Sequence, residues 1–197
     1  KYWNGKKQVH IEPVAERSQR IVSQSRKSAT IEVAVEDWQV EGKMVDMDVQ
    51  YTMQGSHRDM RCDVYLSEEV EGLCTGVQMI PNNGKSPRSL GGSHDTIIVV
   101  PNGTILASWG TDWPVNDSSK YAKETVGLAV FIPIEHAGAP VRDKRNNLCL
   151  LKQEKAQNGY STHFYLTCVG ASKEDHPVAS NATEWYAYLR KWAIGLR

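Results

Sequence analysis

Residues 95–133, DTIIVVPNGTILASWGTDWPVNDSSKYAKETVGLAVFIP, decide how this chain folds. Two apolar runs, Asp95 to Val100 and Thr104 to Trp109, flank Pro101-Asn102-Gly103. Proline fixes φ and Asn-Gly accepts φ > 0, so the stretch predicts a β-hairpin. A polar excursion from Trp109 to Lys123 follows, carrying Trp109, Asp112 and Trp113 beside Gly and Pro. Thr125 to Ile132 is then almost wholly apolar, the pattern of a strand covered on both faces.

Working outward, the period of two recurs. Ile31, Val33 and Val35 alternate with Glu32, Ala34 and Glu36, and Val45, Met47, Val49, Tyr51 and Met53 alternate with Asp46, Asp48, Gln50 and Thr52. Each is a half-buried strand, one face to a core and one to water. Met60, Cys62, Val64 and Leu66 repeat the pattern, and further strands are predicted over Leu73 to Ile80, Leu148 to Gln153 and Tyr160 to Val169. In the last, Ser161, His163, Tyr165 and Thr167 share one side. Pro81 to Ser93 and Ala137 to Asn147 read as loops. The period changes only near the end, where Asn181-Ala182-Thr183-Glu184 has capping-box form and Trp185, Leu189, Trp192 and Leu196 fall at helical spacing. The sum is an all-β chain, a large antiparallel β-sandwich of roughly nine or ten strands closed by a C-terminal amphipathic helix, in one domain over residues 1–197.

Composition narrows the function classes. Lys plus Arg equal Asp plus Glu at 23 each, so the net charge of zero gives no electrostatic reason to expect nucleic acid as a partner. No apolar window approaches the roughly 18 residues of a membrane span, and the first twenty residues lack the apolar centre of a signal peptide. The chain starts without Met, which suggests a piece of a longer protein. Its four cysteines, Cys62, Cys74, Cys149 and Cys168, show no CxxC spacing and argue against structural zinc. Cys62 with Cys74, or Cys149 with Cys168, could pair across adjacent strands, but buried thiols fit slightly better.

Several constellations could carry chemistry. Trp109, Asp112 and Trp113 combine indole faces with a carboxylate, as a sugar-facing wall needs, although tryptophans in sheets are more often core. His94 beside Asp95 could act as a general base, although neighbours on a strand face opposite ways. His163 and Tyr165 share a strand face about 7 Å apart and could bracket a sugar ring as base and acid, with Arg58, Arg61 or a metal neutralising a uronate carboxylate. A solvated face is the plainer reading of the same residues. Asp46 and Asp48 read as solvated too. No Gly-x-Ser-x-Gly elbow and no phosphate loop occur. No residue set is assigned as metal ligands, and the sequence leaves cofactor and metal requirement open.

The succession RIVSQSRKSATIEVAVEDWQVEGKMVDM (20–47), the strand Gln50 to Met53, GSHRDMRCDVYL (55–66), TILASWGTDWP (104–114), ETVGLAVFIP (124–133) and ATEWYAYLRKWAIGLR (182–197) resembles the carboxyl-terminal half of bacterial domain-of-unknown-function family 4861. That resemblance implies a galactose-mutarotase-like supersandwich and a place among polysaccharide-degrading proteins. It therefore implies an oligosaccharide or polysaccharide partner, action on uronic-acid-containing fragments as a lyase or hydrolase, and a periplasmic or extracellular location. A non-catalytic carbohydrate-binding module is the alternative. The family's members are longer, so association with an amino-terminal half or a second chain is expected. Its motifs are structural phrases, and no residue role passes from them to this chain.

Overall fold

The computed structural model describes residues 1–80, 95–112, 119–171 and 178–196. Fourteen strands and one helix are found among them: β1 Tyr2–Trp3, β2 Gln8–Val9, β3 Glu16–Gln24, β4 Ser28–Val40, β5 Lys43–Gln54, β6 Asp59–Leu66, β7 Cys74–Gln78, β8 Asp95–Val100, β9 Gly103–Asp112, β10 Glu124–Pro133, β11 Ala137–Arg142, β12 Asn146–Leu151, β13 Glu154–Ala156, β14 Gly159–Gly170 and α1 Ala182–Gly195. The all-β, antiparallel expectation holds, with the helix at the C-terminus.

One nine-stranded sheet, ordered β3-β4-β5-β6-β14-β10-β9-β8 with β13 added beside β14, forms the body of the protein. Its two faces are covered differently. A second sheet, β11-β12-β7, packs on the first face against a core that includes Val35, Trp38, Val45, Val64, Leu106 and Val130. Helix α1 lies on the second face over β8, β9, β10 and β14, burying Trp185 and Leu189 completely. Strand β10 is therefore covered from both sides, with Val130, Phe131 and Ile132 at most 2% exposed. That explains its unbroken apolar run.

The helix begins as its sequence predicts. Asn181 accepts a hydrogen bond from the Glu184 backbone N–H at 3.0 Å, and the Glu184 carboxylate accepts one from the Ser180 N–H at 2.8 Å. At the other end, Asn102 from the Pro-Asn-Gly hairpin donates to the Ala193 carbonyl at 2.7 Å. The hairpin turn thus adds a second donor to a last-turn carbonyl that otherwise accepts, among the described residues, only the Leu196 N–H, at 3.3 Å.

Three expectations are corrected. Residues 137–147 are not all loop: β11 occupies Ala137–Arg142 and pairs with β12 despite Gly138 and Pro140, because it is an edge strand with a register shift where proline is tolerated. The four cysteines are free thiols, the favoured reading, but Cys168 is exposed rather than buried. Trp109 is not an open sugar wall; it is 8% exposed, with its ring 6.5 Å from that of Trp185. The strand face that carries Trp109 is the one on which α1 lands, and burial of two indoles stabilises that contact by several kcal/mol, on the order of 2 kcal/mol or more per ring.

Candidate functional site

The helix covers only part of its face. Beyond β14 the same face of β6, β5, β4 and β3 carries polar side chains and no second layer among the described residues. The strand register lines these side chains up. His163 lies opposite Asp63, Asp63 opposite Gln50, Gln50 opposite Glu32 and Glu32 opposite Arg20, one row crossing five strands. Four inter-strand steps make this row about 19 Å long. Three of its members are joined: Arg20 Nε donates to Glu32 at 2.6 Å and Gln50 Nε2 to the other carboxylate oxygen at 3.0 Å. A parallel row holds Thr30, Thr52, Arg61 and Tyr165, with the two threonine hydroxyls 3.0 Å apart.

The rows converge at β14. Arg61 Nε donates to both carboxylate oxygens of Asp63, at 2.9 and 3.0 Å, and its Nη1 reaches the Tyr165 hydroxyl at 3.4 Å. The guanidinium also stands 5.8 Å over the Tyr165 ring. His163 packs edge-on against Tyr165, ring centroids 5.7 Å apart, and against His136 at 4.5 Å. A cavity of about 280 Å³ opens here, lined among others by Arg61, Asp63, Glu135, His136 and His163. A second, of about 230 Å³, shares Glu135 and His163 and runs toward Tyr165, Phe131 and Leu196 at the helix end.

Electrostatics follow from this packing. Burial, then the Arg61 cation and His136, hold the His163 imidazole below its usual pKa, against the opposing pull of Asp63 and Glu135. Hydrogen bonding to Asp63 raises the Arg61 guanidinium further, so the cation is permanent. Thr162 also lines the cavity, 2% exposed, its hydroxyl without a hydrogen-bond partner among the described residues.

Of the residues singled out from sequence, the fold brings together His163, Tyr165 and Arg61. It does not bring Arg58, whose carbonyl accepts from Thr167 at 3.4 Å and which borders an apolar cavity of about 370 Å³ with Met60 and Leu166. Trp109 lies under the helix, away from the polar rows. Asp112 ends β9 opposite Glu124 and is partly buried. His94 and Trp113 fall outside the described residues, as does the Ser93-to-His94 approach to β8.

Asp63, Glu135 and His136 were missed. Asp63 could have been found from its alternation with Arg61 once β6 was paired with β14. Glu135 and His136 occupy the tight turn between β10 and β11, where the His136 N–H donates to the Pro133 carbonyl at 3.0 Å, and no sequence spacing links them to His163. A family model described as "Domain of unknown function (DUF4861)" matches residues 1–197. No curated protein and no solved structure matches the chain.

Proposed function

The chain belongs to the DUF4861 family, and from that premise we propose that it is a carbohydrate-active protein that binds and processes uronic-acid-containing polysaccharide fragments on its uncovered polar sheet face. The observation that carries this reading is the polar row from Arg20 to His163, meeting Arg61 and Tyr165 at its end. A polar row about 19 Å long suits an oligomer rather than a single small molecule. Its alternating carboxylate, amide, hydroxyl and guanidinium groups match the donors and acceptors of a sugar chain. Arg61, 43% exposed at its side chain, is oriented by Asp63, 2.7 Å from its Nη2, and offers the exposed part of its guanidinium to a uronate carboxylate.

The chemistry this arrangement supports is β-elimination. A base takes the proton beside the carboxylate, the bond from the neighbouring ring carbon to the glycosidic oxygen breaks, and an acid returns a proton to that oxygen, leaving an unsaturated uronate. Tyr165 and His163 supply the two proton-handling groups, and Arg61 stabilises the charge that develops on the carboxylate. The second reading, a glycan-binding module, draws on the side-chain hydrogen bonds that tie Arg20, Glu32 and Gln50 into a rigid floor.

Incubation with a panel of uronate-containing polysaccharides, followed by absorbance of unsaturated products and by reducing ends, tests the enzyme reading. Product formation that falls at least 100-fold in Tyr165→Phe is expected. Binding without either signal would leave the module reading, and neither binding nor turnover would remove both. We further propose a periplasmic or extracellular location and a partner segment or chain that completes the molecule.

A further inference from the structure

We propose that Glu135, His136 and His163 form a binding site for one divalent first-row transition metal ion of the zinc type. Each contributes one ligand atom, and the three atoms lie within 4.8 Å of one another. Ligands about 2.0–2.1 Å from a tetrahedral ion stand about 3.4 Å apart, so small side-chain rotations close the set. Two imidazoles and a carboxylate are donors that suit zinc, and cobalt as its spectroscopic stand-in.

Three features set this cluster apart from a chance meeting of side chains. First, Glu135 and His136 sit on a turn pinned by the Ile134 N–H to the Asn102 carbonyl at 3.0 Å and the Lys152 N–H to the His136 carbonyl at 2.9 Å. A turn lets consecutive residues face one centre, which a strand does not. Second, the His136 ring Nδ1 is 3.3 Å from the Lys152 carbonyl, the outer hydrogen bond that fixes a ligating imidazole's tautomer and leaves Nε2 free for the metal. Third, His136 is 4% exposed and has no carboxylate salt bridge among the described residues, yet it borders a cavity of about 280 Å³ with room for further metal ligands. Three protein ligands and an open position are the arrangement of a catalytic rather than a structural site.

The metal site stands on its own geometry, and it deepens the glycan reading where both hold. A metal beside Arg61 adds a second positive centre for a uronate carboxylate, and His163 as a ligand passes the base role to Tyr165.

The test uses the metal alone. Chelator-stripped protein is titrated calorimetrically with Zn²⁺ and followed with Co²⁺ by visible absorption. One equivalent is expected to bind, with Co²⁺ bands of mixed nitrogen and oxygen ligation. His163→Gln should weaken binding about 100-fold or more, and Glu135→Gln about 10-fold or more. His57→Gln, on the exposed turn before β6, should bind as wild type does. Far-UV circular dichroism checks that each variant folds, and the half-buried His163 and exposed Glu135 make better probes than buried His136. Absence of binding in the wild type overturns the proposal, as does binding that both site variants leave unchanged. A protein that binds metal but leaves uronates intact would retire the enzyme reading and keep the site; an active protein that takes up no metal would do the reverse.

Discussion

Adding a single methyl group at Gly127 tests whether α1 is seated as described. Gly127 lies on β10 directly opposite Trp109, beneath the ring of Trp185. A Cβ built there falls 2.7 Å from Trp185 Cε2 and 2.9 Å from Trp109 Cε3. Ordinary carbon contacts begin at about 3.5 Å, so the overlap is about 0.6–0.8 Å against two ring systems at once. Neither ring has room to retreat, since Trp185 is 0% and Trp109 8% exposed. The helix must shift, and overpacking of this kind costs about 1–3 kcal/mol. At this chain length each kcal/mol lowers Tm by about 2–4 °C, so Gly127→Ala should melt about 2–12 °C early. Gly170→Ala is the control: its Cβ meets nothing within 4 Å, and its Tm should hold or rise slightly. Thermal unfolding followed by near-ultraviolet circular dichroism reads both, since the indoles supply the signal. A Gly127→Ala protein that melts with the wild type and keeps its near-ultraviolet spectrum would refute the stacking of Gly127, Trp109 and Trp185.

Three further outcomes are expected. Burial pushes the Asp143 carboxyl up, but hydrogen bonds from the backbone N–H groups of Arg145, Gln8 and Asn146 and the Asn146 side chain outweigh it and hold the pKa below the usual range. A depressed folded pKa stabilises fully above the unfolded value of about 3.9 and loses that contribution as pH falls through the folded value; Asp143→Ala should lose about 2–3 kcal/mol at neutral pH in urea unfolding, and the gap should narrow in acid. Burial pushes the Cys62 thiol up to about 12 and that of Cys74 to about 11, so a thiol reagent should label Cys168 alone in the native protein and all four cysteines after unfolding; rapid native labelling at Cys62 or Cys74 would contradict the burial of these side chains in β6 and β7. Asn102→Ala removes the side chain that binds the Ala193 carbonyl and should cost about 1 kcal/mol, with faster amide exchange confined to the end of α1; unchanged exchange there would argue against the contact.

Much of the architecture was legible because burial here writes a simple code. β5 has one buried face, and its sequence alternates; β10 has two, and its sequence does not. Helix α1 announced itself by its cap and by the spacing of Trp185, Leu189 and Trp192. β11 was hidden because an exposed edge strand need not alternate, and Gly138 and Pro140 speak locally for a loop. The site was half legible for a related reason. His163 and Tyr165 share a strand face by arithmetic, but pairing Tyr165 with Arg61 spans 104 residues and depends on which strands become neighbours. The same period of two places Trp109 on a face without saying what lies over that face. Helix α1 decides the matter, converting an apparent ligand surface into core. Glu135 and His136 lay beyond any periodicity, because turn geometry rather than strand geometry aims them.

The nine-stranded sheet ends at β3, Glu16–Gln24, in which every residue is exposed. Such a strand adds ladder hydrogen bonds but little buried apolar area, and its outer amides and carbonyls form a template that a second molecule could extend. Charge guards that template: Glu16, Arg17 and Arg20 stud the strand, and a register shift between Ile21 and Ser23 breaks its regularity where the apolar Ile21 and Val22 occur. Uncontrolled stacking of copies edge to edge is thereby discouraged at a margin of the sheet that buries none of its own residues. Substitutions that neutralise Arg17 and Arg20 together are accordingly the ones to avoid when the protein is concentrated.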